Sequence, residues 1–222
     1  MAREDPDRTP RPELGWSAQS VQEEFPQLHL HTIEVSARAD GSSSPALESQ
    51  LRELSNRWNG ARAVNLRRQP IPAAYRVFFR HIGLDPDVTR TPIEAAVFQR
   101  LMNGGFLPSG RLEDVLLLAL VETGVPVWAL DADTVDGPLG IRTSDAGERL
   151  GCSPEADPLA AGQLVVADAA TALAVLFSEV AASHRPQRST HRLILFTIQV
   201  AGVSLLHVEE AFWICASALQ SS

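Results

Sequence analysis

The chain has 222 residues, of which 45% are hydrophobic and 21% charged, within the ordinary range for a globular protein. Its formal charge of −8 argues against a general nucleic-acid-binding protein. All 19 basic residues are arginine, so chemistry that needs a lysine amine, such as a Schiff base or a P-loop, is excluded.

The opening "MAREDPDRTPRPELGW" is charged and proline-rich and lacks the apolar core of a signal peptide. Residues 1–20 read as a disordered leader and residues 21–222 as a single domain. No apolar run reaches the roughly 18 residues of a membrane span, and a cytoplasmic location is expected. "FPQLHLHTIEVSA" predicts a strand, followed by the loop "DGSSSP". "PALESQLRELSNRWN" predicts an amphipathic helix with Leu47, Leu51, Leu54 and Trp58 on one face. "PIPAAYRVFFRHIG" predicts a second helix, closed by Gly83. "TPIEAAVFQRLMNGG" carries Thr91 as N-cap, Pro92 at N1, Glu94 at N3 and a terminal glycine pair.

"RLEDVLLLALVETG" predicts a central helix stopped by Gly124. "PVWALDAD" then predicts a strand, with a tight turn at Asp136–Gly137 leading into "PLGIR". "GQLVVAD" and "HRLILFTIQVAG" predict further strands, and "HVEEAFWICASALQ" a last helix. Strands and helices are partly segregated without strict βαβ alternation, so the expected class is α+β, a mixed sheet with packed helices.

Charge is unevenly distributed. Residues 52–100 hold nine arginines against four acidic residues, a segment of +5 on a remainder of −13. Such a stretch can meet a phosphate backbone or form a solvated helical face. His29 and His31 share a strand face at a spacing compatible with two metal ligands. The other histidines supply no third, so two surface histidines are expected, with no metal and no cofactor. Cys215 lies on a helix face with Val208, Phe212 and Leu219, which reads as packing; Cys152 has no assigned place. No G-x-S-x-G elbow or G-x-G-x-x-G fingerprint is present. Asp131 and Asp133 alternate along their strand and read as a solvated strand-to-turn junction.

Several segments together resemble one family. "IGLDP" followed by "RTPIEAA", then "TGVPVWALDAD" and "GERL", are similar to the tRNA-editing B3/B4 domain of the phenylalanyl-tRNA synthetase beta subunit, and more so to its free-standing relatives. The match covers roughly residues 20–205. The resemblance implies a pocket between the helix ending at Gly124 and the strand beginning at Pro126. Arg90, Glu94, Leu117, Gly124, Pro126, Trp128 and Ala129 are its candidate ligand residues. Leu117 stands where the family typically has asparagine, and Trp128 where the synthetase has histidine. Leu117 can neither donate nor accept a hydrogen bond, and Trp128 has only an indole N–H donor and cannot accept a proton as a general base. Glu179 falls where the family carries a glutamate of the catalytic region.

The resemblance implies tRNA or aminoacyl-tRNA as partner, with no membrane and no DNA, and Arg67, Arg68, Arg76 and Arg80 as candidate phosphate contacts. Hydrolysis of a mischarged aminoacyl ester, aminoacyl transfer to an amine, and non-catalytic binding are its alternative outcomes.

Overall fold

The computed structural model describes residues 11–58 and 60–220. Eight strands and seven α-helices are found among them, an α+β fold: β1 Glu13–Leu14, β2 Trp16–Ser17, α1 Gln19–Glu24, β3 His29–Ser36, α2 Pro45–Arg57, α3 Gly60–Asn65, α4 Pro70–His81, α5 Pro92–Asn103, α6 Arg111–Thr123, β4 Val127–Asp131, β5 Gly140–Thr143, β6 Leu164–Ala167, β7 Ala172–Val175, β8 Arg192–Gln199 and α7 Leu205–Gln220. They form two four-stranded sheets. The first, in the order β1-β3-β8-β4, is antiparallel throughout; the second, β2-β5-β6-β7, is antiparallel except for the parallel β2–β5 pair.

The center of the first sheet is β8, paired along its length with β3 and on its other side with β4. A strand paired on both edges and covered on both faces has to be apolar, and residues 193–198 are almost wholly buried. Helices α6 and α7 pack on this sheet and on each other, α2 and α5 lean on α6, and the second sheet meets the first through β3. One hydrophobic cluster runs through all of these layers. Buried polar groups find partners: Thr197 donates to the Pro126 carbonyl at 2.6 Å and Tyr75 to that of Ile198 at 2.9 Å. Fully buried Asp114 ties two loops to the start of α6. It accepts from the Ser109 backbone at 3.0 Å, from the Ser109 hydroxyl at 3.2 Å and from the Ser43 hydroxyl.

Of the expected leader, residues 1–10 lie outside the described residues, but β1 and β2 are strands of the two sheets and α1 begins at Gln19. Proline and charge in this stretch suggested disorder. Leu14 and Trp16 instead bring it to the sheet edges, with Trp16 paired to Gly140 and its indole N–H donating to the Pro138 carbonyl at 2.9 Å. Strand β7 and helix α3 are two further elements the sequence pattern did not announce. His31 is buried rather than a surface histidine. Its Nε2 lies 2.7 Å from the Gln199 carboxamide, and burial holds its pKa below the usual imidazole value.

Gly140 explains how the N-terminal segment is held. A Cβ there would stand 2.0 Å from the Trp16 indole, so only glycine lets the ring lie flat on β5. Gly140→Ala is expected to expel Trp16 and cost about 1–3 kcal/mol in urea unfolding, the range of an overpacked site. Exchange of the amide hydrogens of residues 14–18 should accelerate with it.

Candidate functional site

Helix α5 is capped by Thr91, whose backbone N–H and hydroxyl both donate to the Glu94 carboxylate, at 3.2 and 2.8 Å. This half of a capping box draws Glu94 inward, where it is 6% exposed. Its other oxygen receives Arg76 Nη1 of α4 at 2.6 Å and lies 3.2 Å from Arg67 Nε. Arg76 also donates to Asp87 at 2.8 Å and to the Pro86 carbonyl at 3.3 Å, and Arg67 donates to Asp87 at 2.8 Å. Burial opposes the Arg76 charge, and its bonds to Asp87 and Glu94 outweigh burial, so its pKa lies above the ordinary value. The same contact with Arg76 holds Asp87 below the usual carboxylate range.

Above this network α3 and α5 diverge and leave a cleft of 650 Å³. Val64, Val97, Phe98 and Leu101 supply its apolar lining; Arg67, Arg68 and Arg90 supply its charge. Arg90 does not pair with Asp85 or Asp87. Its guanidinium lies 4.0 Å from the centroid of the Phe98 ring, a cation–π contact. Phe98 is 42% exposed and Val64 76% exposed, an unusual cost for apolar groups beside arginines. Arg68 makes no ion pair among the described residues.

The sequence-predicted residues therefore separate into groups. Arg67, Arg68, Arg90 and Glu94 come together at this cleft, with Glu94 committed to the network beneath it. Arg76 is corrected: it is buried in ion pairs and presents nothing to a phosphate. Arg80 is exposed on α4 but does not line the cleft. Gly124 lines a second cleft, of 420 Å³, that adjoins the first at Leu66.

Pro126 and Ala129 are buried, and Leu117 is a half-buried side chain packed on the core. Trp128 stacks on Phe196, its partner across the strands, at 5.6 Å, and meets Phe177 edge-on at 5.9 Å. Phe177 in turn contacts Tyr75, Phe78 and Phe79, so aromatic rings fill the space beside Trp128. Glu179 is exposed and paired with Arg185 at 2.5 Å. Asp131 accepts from Thr190 at 2.5 Å and Asp133 from Arg192 at 3.0 Å, as befits a solvated junction. Cys215 is buried, its thiol pushed up to about 12 by burial, and Cys152 is exposed. No cluster of potential metal ligands occurs among the described residues.

Residues 74–201, more than half of the chain, match the B3/4 domain. The chain belongs to the B3/4 domain family. Over 68 residues it is 43% identical to the phenylalanine–tRNA ligase beta subunit of Xanthomonas campestris pv. campestris (strain 8004), covering 31% of this chain and 8% of that protein. Also over 68 residues, it is 41% identical to the phenylalanine–tRNA ligase beta subunit of Xanthomonas oryzae pv. oryzae and 38% identical to that of Xylella fastidiosa, each match covering 31% of this chain and 8% of that protein. The match thus spans under a tenth of these relatives' length. No helix among the described residues of this B3/4 domain is long and apolar enough to cross a membrane.

Sequence reasoning reached the cleft's arginines but missed Phe98 and Val64. The legible signal was on α5, whose Phe98, Leu101 and Met102 are apolar beyond the stripe of Ile93 and Val97 that its core face uses. Removing Arg76 should be costly, because Glu94 would stay buried without its buried counter-charge, with only the half-exposed Arg67 beside it. Arg76→Met is expected to lose about 3–5 kcal/mol in denaturant unfolding. Arg76→Met with Glu94→Gln should recover a large part of that loss.

Proposed function

We propose that this B3/4 domain binds the single-stranded 3′ end of tRNA, with aminoacyl-tRNA as the ligand class and the α3–α5 cleft as the contact surface. The carrying observation is Arg90 stacked on an exposed Phe98, with Arg67 and Arg68 along the same cleft. An exposed aromatic ring offers a face to an unpaired base, and flanking guanidinium groups meet the phosphates on either side. A duplex offers no free base face to such a platform. The relatives' beta-subunit names support a tRNA partner, and a cytoplasmic location follows from that partner.

The space beside Trp128, where the resemblance placed the amino-acid pocket, favors binding over water-mediated editing at that place. Leu117 and Trp128 offer no acceptor for a catalytic water, and the rings of Phe177 and Phe196 occupy the adjoining volume. Ester cleavage, if the domain performs it, needs another set of residues.

Binding of tRNA should weaken linearly in log–log coordinates with added salt. Arg68→Ala and Arg90→Ala should each flatten that slope by roughly 0.7, the increment for one single-strand phosphate. Removing the 3′ CCA from the tRNA should cost as much affinity as Phe98→Ala, and the two losses should not add. Equal affinity for intact and CCA-trimmed tRNA would discard the reading. A panel of aminoacyl-tRNAs that includes the phenylalanyl and tyrosyl esters tests for cleavage in the same samples.

A further inference from the structure

The second cleft holds a pair of groups that neither the family assignment nor the arginine cleft uses. Ser204 precedes α7 and His207 lies in its first turn; the Ser204 hydroxyl and His207 Nδ1 are 2.7 Å apart. A serine in front of a helix ordinarily uses its oxygen to accept a backbone N–H of the first turn. Here the His207 backbone N–H goes to the Ser204 carbonyl at 3.1 Å, and the hydroxyl is left to the imidazole. Both residues line the 420 Å³ cavity, whose inner wall is apolar, with Leu66, Ile71, Ile93 and Val121. Glu210, one helical turn beyond His207, lines it as well. That volume lies within the range of small-ligand sites.

We propose that Ser204 and His207 are a nucleophile and its base, and that they cleave esters of apolar carboxylic acids. The acyl side chain would enter the cavity between Ile71 and Val121. The Ser204 oxygen attacks the ester carbonyl while its proton passes to His207 Nδ1. The backbone N–H groups of Leu205 and Leu206, at the start of α7, have no acceptor within the helix and would supply hydrogen bonds to the tetrahedral oxyanion. Collapse breaks the bond to the alcohol, which leaves with the proton from His207. Water then attacks the acyl-serine, gives a proton to His207, and releases the acid as Ser204 recovers its hydrogen. Ester and water are consumed, acid and alcohol are produced, and no other reactant is needed. Because the cavity adjoins the arginine cleft at Leu66, a polyanion bound in one would bring an ester near the other.

The test uses the full chain and needs no RNA, so it stands whether or not tRNA binds. A fluorophosphonate probe is added and the adduct located by intact mass and peptide mapping. The expected result is one adduct on Ser204, absent in Ser204→Ala. It should form about 100-fold more slowly in His207→Gln, which keeps a hydrogen-bonding partner but accepts no proton. Hydrolysis of a p-nitrophenyl ester of phenylacetate should follow the same order. Thermal unfolding of each variant confirms that it is folded. Absence of an adduct on Ser204 in folded protein, or equal labeling of His207→Gln, would overturn the proposal.

Discussion

Two arginines and two carboxylates meet where α4, the turn before α5 and the start of α5 converge, and the rest of the arginine cleft depends on that meeting. Arg76 is 6% exposed and Glu94 equally so, a burial neither charge tolerates alone. Asp87 and the Pro86 carbonyl complete the guanidinium's partners and hold the turn between the helices. Thr91, with no exposed surface, fixes the entry of α5 by giving Glu94 two hydrogen bonds. Arg67 then reaches over from the other wall to both carboxylates, which brings the end of α3 to its distance from α5. The cleft is what remains above four groups that satisfy one another.

A second constraint is the volume beside Trp128. Four aromatic contacts converge on Phe177, whose φ of 62° lies in the left-handed region. A bulky side chain pays roughly 1–2 kcal/mol for that conformation. Each well-oriented ring pair returns about 0.5–1.5 kcal/mol beyond area burial, so the cluster offsets the strain several-fold. The strained residue is here the keystone of packing: without Phe177, Trp128 and Phe79 would face an empty space. That packing fills the space beside Trp128, while Gly124, at the end of α6, lines an open cleft on the helical side.

Much of this fold was legible because its signals are local. Thr91–Pro92–Glu94 opens α5, Gly104 closes it and Gly124 closes α6, all by mechanisms that act within four residues. What escaped depends on distant partners. β7, "ALAV", has no alternation to show because both of its faces are covered once it pairs with β6. Trp16 becomes structural only through Gly140, more than a hundred residues away. Arg76 and Arg80 sit one turn apart with the same charge, and nothing in the sequence says that one turns inward to Glu94 and the other outward. Ser204 and His207 are three residues apart, a spacing too common to mean anything before the cavity around them is seen.

The charge of the segment 52–100 also changes meaning in three dimensions. Its nominal +5 falls once Arg57 is seen paired with Glu122, which lies outside the segment. Arg67 and Arg76 are spent on Asp87 and Glu94, and Arg100 on the Ser55 carbonyl at 2.7 Å. Arg68 and Arg90 are then the cleft charges without an ion pair among the described residues. Physiological salt screens charges beyond about 8 Å, so the acidic remainder of the chain does little to repel an anion already in the cleft. Two guanidinium groups cannot hold a duplex, whose affinity is built from many phosphate contacts. They suffice for a short single strand when each base that stacks adds roughly 1–3 kcal/mol. Under the proposed reading the balance at this surface is set by Phe98 more than by net charge, which would let an acidic protein carry such a site.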